Sequence, residues 1–511
     1  MPEINLLHSL EEKVLNAINR DEINKALELV QEFVRQVVND SRATANVFGS
    51  EKLDRLCLEI GKAFGKKQIE AAPTTGYVDE GVDAVVSIAS HLEGYGGHTL
   101  VLEDVIKAQP DKSHIVLVTD LFNLIDAEKL SERFSEISQL RVAPRGNAQE
   151  KLNWLAEQLN SISPARIFLF NHHQDAVAIA GIQSWLGVAK VAFYHHADHN
   201  LCLGVHLPKT IHIDPHNIGY YNCREHEGLL DNKYVPLIVE DKGSRSVDCA
   251  FLQEGILRTC SAGSYGKFAS PYVYSYVEII SKRLALRDGI HFHIGNFPEG
   301  VFESISNSLR EQGIDANRFI HVSHVPSLWS FLVENRVDLY ISSFPLGGGR
   351  AAIESMGSGT PLLIHQSSLS RFHGGIDLAY HQAFVWSDSA EFGRHIASLT
   401  PEMLAEHSYC ARQYYELNHL PSSLMTGIDC LFNKNDMVNS LPPPLKNYRP
   451  DYLQRYLHFR SLEDDLLRSQ EVVLAAKDDE LHQLRSTIQK MSSSYSWRIT
   501  APLRWVVRLF K

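Results

Sequence analysis

FPLGGGRAAIESMGSGTPLLIH, residues 344–365, sets three consecutive glycines directly before a run of helical composition, then Gly-Ser-Gly-Thr-Pro and an apolar stretch. The residues leading into it, VDLYISSFP (337–345), have the composition of a buried strand, so the unit reads as strand, glycine turn, helix, strand. Glycine lets a ligand approach the backbone, and the unpaired N–H groups and dipole of a helix's first turn attract an anion such as phosphate. The spacing is neither the G-x-G-x-x-G of dinucleotide binding nor a Walker loop, since no G-K-[ST] follows. By itself the triplet also fits a plain tight turn.

A second feature points the same way. Lys267 stands in a Ser/Gly-rich loop, CSAGSYGKFAS (260–270), ahead of a long helical stretch within 270–289. A loop after the first strand of this block lies at the same sheet edge as the glycines, and an ammonium beside a nest of amides is what a departing diphosphate requires. A solvated surface lysine is the ordinary alternative.

Working outward, two consecutive blocks alternate short apolar runs with helical stretches. The first holds DAVVSIAS (83–90), HIVLVTD (114–120), RIFLFN (166–171) and KVAFYHH (190–196). The second holds DCAFLQEG (248–255), HFHIGNF (291–297), FIHVSHV (319–325), VDLYISSFP and TPLLIH (360–365). This pattern predicts an α/β architecture of two Rossmann-like, doubly wound domains, 80–240 and 247–434, facing each other across a cleft. Residues 1–72 carry apolar positions at helical spacing and predict an amphipathic helical region without evident chemistry. A proline-rich linker (435–450) separates the globular part from a charged helical segment with approximate heptads (451–491), a candidate for self-association.

The segments GSYGKF, HFHIG and ISSFPLGGGRAAIESMGSGTPLLIH resemble the donor half of GT-B glycosyltransferases, most closely the O-linked N-acetylglucosaminyltransferase group and its bacterial relatives, over residues 80–430. The resemblance implies an acceptor domain followed by a nucleotide-sugar donor domain. It implies that Lys267, Gly347, Gly348, Gly349 and Arg350 contact the donor diphosphate, with Gly295 of HFHIG in the donor site and Glu354 near ribose or sugar. Retaining GT-B enzymes have two glutamates eight apart; here Leu346 stands where the first would be. That departure favours an inverting, metal-independent transfer, with no cofactor beyond a nucleoside diphosphate sugar, UDP-linked, as substrate.

In the first block, HLEGYGGHTLVLEDV (91–105) follows a strand; Gly96 and Gly97 permit a turn exposing His98, and Thr99 is suited to cap the next helix. The family places a histidine in a comparable loop. His98 is the candidate base for the acceptor hydroxyl, or a positioning group, against the alternative of a histidine satisfied in the core. YHHADHN (194–200) gathers His195, His196, Asp198 and His199 densely enough to raise a metal site. His196, Asp198 and His199 are read instead as polar cleft lining, with no metal, and His172 and His173 likewise.

Net charge is −12 over 511 residues, which excludes a broadly basic surface for nucleic acid. Seven scattered cysteines without a Cys-x-x-Cys pair predict neither a zinc knuckle nor a disulfide framework and fit a cytoplasmic protein. The N-terminus has no secretory pattern and no run is long enough to span a membrane. WRITAPLRWVVRLFK (497–511) carries four positive charges and no negative one, the composition of a helix on an anionic inner-membrane surface or of one docked on the protein body. SSSYSWRITAPLRWVVR also resembles the tails of bacterial polysaccharide glycosyltransferases, implying a glycan, lipid-linked or protein acceptor. The expected function is glycosyl transfer; the alternatives are a nucleotide-sugar epimerase on the same scaffold and a non-catalytic, membrane-recruited scaffold.

Overall fold

The computed structural model describes residues 6–71, 84–92, 97–246, 250–269, 272–432 and 441–493. It divides into two compact units, Met1–Pro450 and Asp451–Lys511.

The first unit is built on two sheets whose strand pairs are all parallel. One contains β1 (Ala84–Ala89), β2 (Ser113–Val118), β3 (Gln139–Val142), β4 (Arg166–Phe170), β5 (Lys190–Tyr194), β6 (Thr210–Asp214) and β7 (Lys233–Tyr234), in the order β3-β2-β1-β4-β5-β6-β7. The other contains β8 (Leu257–Ala262), β9 (Gly289–Ile294), β10 (Phe319–Val322), β11 (Leu339–Ile341), β12 (Leu362–His365) and β13 (Phe384–Trp386), in the order β10-β9-β8-β11-β12-β13. In each, strand order reverses beside the first strand, between β1 and β4 and between β8 and β11. The crevice outside the carboxyl ends of such a pair is where doubly wound sheets bind ligands.

The core explains the runs. β1 is buried along its whole length because helices cover both faces of the sheet. On one face Val86, Ile88, Leu117 and Leu169 pack with Leu27, Val30, Leu56 and Ile60 of the helices Ile23–Asn39 and Glu51–Ala71. The N-terminal helical region is therefore a packing layer of the first lobe. Asp54 ties it down: its two carboxylate oxygens accept the backbone N–H groups of Gly204 (2.7 Å) and His206 (2.8 Å).

One expected strand is absent. Among the described residues of DCAFLQEG (248–255), which begin at Ala250, no strand forms: Leu252 and Glu254 adopt left-handed backbone angles, φ 53° and 58°, and Gln253–Gly255 is a 3₁₀ turn. Phe251 and Leu252 are apolar because they plug the core; the strand is the more polar LRTCSA of β8.

The helix Pro421–Phe432 returns to the first lobe. Phe432 meets Phe168 edge to face at 5.4 Å, its carbonyl accepts from Lys190 Nζ (2.8 Å), and Gly427 lies against Val235. Residues 442 and 443 also meet the first lobe: the Pro442 carbonyl accepts from Tyr221 Oη and the Pro443 carbonyl from Asn217 Nδ2.

The second unit contains a 42-residue helix, Tyr452–Ser493, over the segment expected to be helical. It carries ion pairs along itself, such as Arg460 with Asp464. Among the described residues no helix is long and apolar enough to cross a membrane. The basic tail WRITAPLRWVVRLFK lies outside the described residues.

Candidate functional site

The strand–glycine–helix unit forms as its sequence implies. β11 delivers the chain to Gly348, the residue preceding the helix Gly349–Gly357. That helix makes its first internal bond from Ala352 N–H to Gly348 O, and the N–H groups of residues 347–351 have no acceptor among the described residues. Five free amides thus crowd one helix start, where the dipole also favours an anion.

Lys267 arrives from the loop after β8. The two loops touch: Leu346 N–H donates to the Lys267 carbonyl at 3.4 Å. A methyl group placed on Gly348 would lie 3.1 Å from Lys267 Nζ, so the ammonium sits directly over the glycine turn. No carboxylate pairs with it among the described residues, and burial pushes its pKa below the usual lysine value. A half-buried cation beside unsatisfied amides is an arrangement that an anion completes.

Three neighbours have other work. Arg350 turns away from the glycines: its Nη1 donates to Asp104 of the first lobe at 2.7 Å and to the Ile238 carbonyl at 3.3 Å. The guanidinium therefore bridges the lobes through Nη1. Glu354 accepts the backbone N–H of Trp329 at 3.0 Å through Oε2, in the first turn of the helix Leu328–Glu334. Gly295 has no free amide, since its N–H donates to Val322 O and its carbonyl accepts from His321 Nε2. It is glycine because a Cβ there would lie 2.1 Å from Gly263 O.

The first lobe brings a histidine cluster to the ends of β1, β4 and β5. His98 is half-buried and stacks on His196 with ring centroids 4.0 Å apart, and Phe170 packs nearby. Its Nε2 is buried with no hydrogen-bond partner among the described residues. Burial, then the neighbouring His172, lower its pKa to about 4, and burial lowers those of His172 and His173 to about 4 and 3. These rings are neutral bases at neutral pH. Gly97 is exposed with open space around it, whereas Thr99 is fully buried. Thr99 is not a cap, because the helix Gly97–Lys107 already begins at Gly97. Gly96 lies outside the described residues. His195 and His196 go separate ways: His196 joins His98, and His195 turns towards Asp214 and Cys223. His199 is about half exposed beside Asp198, 3.7 Å from it.

Asp198 leads to a residue the sequence reading missed. Its Oδ2 bonds His216 Nδ1 at 2.8 Å. His216 precedes the helix Asn217–Glu225 after β6, and its Nε2, otherwise unpartnered, would stand 3.1 Å from a methyl placed on Gly349. The first lobe thus presents an imidazole to the glycine turn. The only clue in the sequence is a histidine at a helix start, IDPHNIG (213–219), with nothing local to mark its partner.

Comparison with known structures places this arrangement. No protein-family model and no curated protein sequence matches the chain. The crystal structure of Anabaena HepE in complex with UDP and glucose is similar with a TM-score of 0.51 at 13% identity, covering 69% of this chain and 100% of that one. The complex of HepE with UDP-glucose gives 0.50 at 13%, with the same coverage. A glycosyltransferase from Rickettsia africae gives 0.52 at 10%, covering 69% of this chain and 99% of that one. The chain shares the two-lobed GT-B fold of these glycosyltransferases.

Proposed function

We propose that the protein is a glycosyltransferase that moves a sugar from a nucleoside diphosphate donor to an acceptor hydroxyl bound by the first lobe. The observation that carries this is the meeting of Lys267 with the free amides of the glycine turn at the β8/β11 crevice, faced by His216. As the sugar–diphosphate bond breaks, charge develops on the leaving phosphate, and preorganised N–H groups with an ammonium stabilise it where water is excluded. UDP is the donor nucleotide favoured, since the fold neighbour HepE was crystallised with UDP and UDP-glucose.

In the same reading, His98 takes the acceptor proton while the hydroxyl oxygen attacks the anomeric carbon opposite the leaving diphosphate, an inverting displacement. Its depressed pKa keeps Nε2 free to accept, and its place at the end of β1 puts it on the acceptor side. The protein's own donors supply the charge that a divalent cation would otherwise bring to the diphosphate. The tail 497–511 would hold the enzyme at the inner membrane surface near a lipid-linked, glycan or protein acceptor in surface-glycan synthesis. Apolar side chains exposed on the helix Tyr452–Ser493, Leu453 and Leu457 among them, would serve self-association.

Calorimetry with UDP tests the central claim. The native chain binds, and Lys267→Ala weakens binding and lowers turnover by about 10²–10³ while the unfolding temperature is kept. A variant that binds and turns over normally would remove the assignment.

A further inference from the structure

We propose that His195, His212, Asp214 and Cys223 form a closed tetrahedral zinc(II) site within the first lobe, separate from the glycine turn. Each offers one donor atom, and all four side chains are buried. His195 Nδ1 and His212 Nε2 each lie 3.2 Å from Asp214 Oδ1. Cys223 Sγ lies 3.4 Å from His195 Nδ1, 3.5 Å from His212 Nε2 and 3.4 Å from Asp214 Oδ1. A tetrahedral zinc bound to nitrogen and oxygen at about 2.0–2.1 Å and to sulfur at about 2.3 Å sets its ligand atoms about 3.3–3.6 Å apart. These five distances lie within a few tenths of an ångström of that tetrahedron.

A metal-free hydrogen-bond cluster is the competing account, and distance separates the two. Two neighbouring side-chain hydrogen bonds to a carboxylate are shorter: His216 Nδ1 to Asp198 at 2.8 Å and Asn232 Nδ2 to Asp214 Oδ2 at 2.6 Å. The two nitrogen-to-carboxylate contacts within the group, both 3.2 Å, are longer than charge-assisted hydrogen bonds usually are. The outer contacts also suit ligation. Val205 O bonds His212 Nδ1 at 3.3 Å, which leaves Nε2 to bind, and Asn232 holds the Asp214 oxygen facing away from the group.

Charge agrees. Zinc binding displaces the thiol proton of Cys223 to solvent, after which one thiolate, one carboxylate and two neutral imidazoles balance the ion with no net charge in a buried place. With four protein ligands the site keeps no open position, so its role is structural. It joins the end of β5, two residues of one face of β6, and the helix Asn217–Glu225, whose start carries His216.

The experiment is elemental analysis of the full chain, purified through a cleavable tag and dialysed against metal-free buffer. About one zinc per chain is expected, retained in His196→Ala and lost in Cys223→Ala and His212→Ala. Replacing zinc by cobalt(II) in the native chain should give intense tetrahedral d–d bands and a thiolate-to-cobalt charge-transfer band, a readout that needs no variant to fold. Native protein that holds no zinc, even after incubation with zinc and removal of the excess, overturns the proposal. So does zinc that survives both ligand substitutions, or a cobalt form without the thiolate band.

Discussion

At the scale of single residues, the proposed function rests on what Gly348, Lys267 and His98 each lack among the described residues. Gly348 lacks a side chain, and its backbone angles, φ −114° and ψ 102°, are open to alanine, so Gly348→Ala should leave stability nearly unchanged. The added methyl, 3.1 Å from Lys267 Nζ, intrudes where the donor phosphates would lie, and the expected outcome is a rise in donor KM of tenfold or more, read by steady-state kinetics. Lys267 lacks a counter-charge, and its loss is expected to cost about 10²–10³ in kcat, the scale of a removed transition-state donor. His98 lacks a partner at Nε2. Protonation of a group with a pKa of about 4 removes the base only below that pH, so the acid limb of kcat/KM should fall near pH 4 and not near the ordinary histidine value of about 6.5. His98→Ala should remove that limb along with about 10²–10⁴ of the rate. The meeting of Lys267 with the glycines was legible in the sequence because both stand in loops that follow strands of one block and so reach the same sheet edge. His216 was not, because its partner Asp198 and its target Gly349 come from other strands and from the other lobe.

At the scale of elements, strands buried on both faces announce themselves as unbroken apolar runs, and β1, β2, β4 and β5 were legible for that reason. β6 hides because His212 and Asp214 interrupt its run, and β3 because only part of it is covered at the sheet edge. The Gly-Ser-Gly-Thr-Pro that follows the site helix has its own mechanics. A Cβ on Gly357 would lie 2.0 Å from the Trp329 ring, which is fully buried and held by its Nε1–H bond to Gly243 O. Gly359, at φ 75°, ends the helix in the left-handed region. Gly357→Ala should therefore destabilise the protein by about 1–3 kcal/mol, measured by thermal unfolding, since neither ring nor helix can shift freely. Asp54→Ala should cost a similar amount, about 1–3 kcal/mol, by leaving the amides of Gly204 and His206 without an acceptor. A Glu51–Ala71 helix that came loose at no cost would contradict its role as a packing layer.

At the scale of the whole molecule, the lobes are fastened together by a few specific contacts. Arg350 reaches Asp104, Asn217 Nδ2 donates to Asp377 O, Ser370 Oγ donates to Ala45 O, and Phe48 packs on Phe372 at 4.7 Å. Burial raises the Asp104 carboxyl above its usual range, with Arg350 opposing, so removing the guanidinium leaves a poorly solvated acid. Arg350→Ala is expected to enlarge the radius of gyration in small-angle scattering and to lower turnover while the binding of UDP persists; an unchanged radius would show that the other contacts suffice. The two-lobed plan was legible in the two alternating blocks of sequence, but none of these fastenings was, because each joins residues more than 100 positions apart.

The returning helix Pro421–Phe432 bears on how the chain is made. Phe168 and Val235 wait for Phe432 and Gly427, which leave the ribosome about 260 and 190 residues later. Until then the nascent first lobe carries an uncovered greasy face, and chaperone occupancy during translation should persist until that closing segment has emerged.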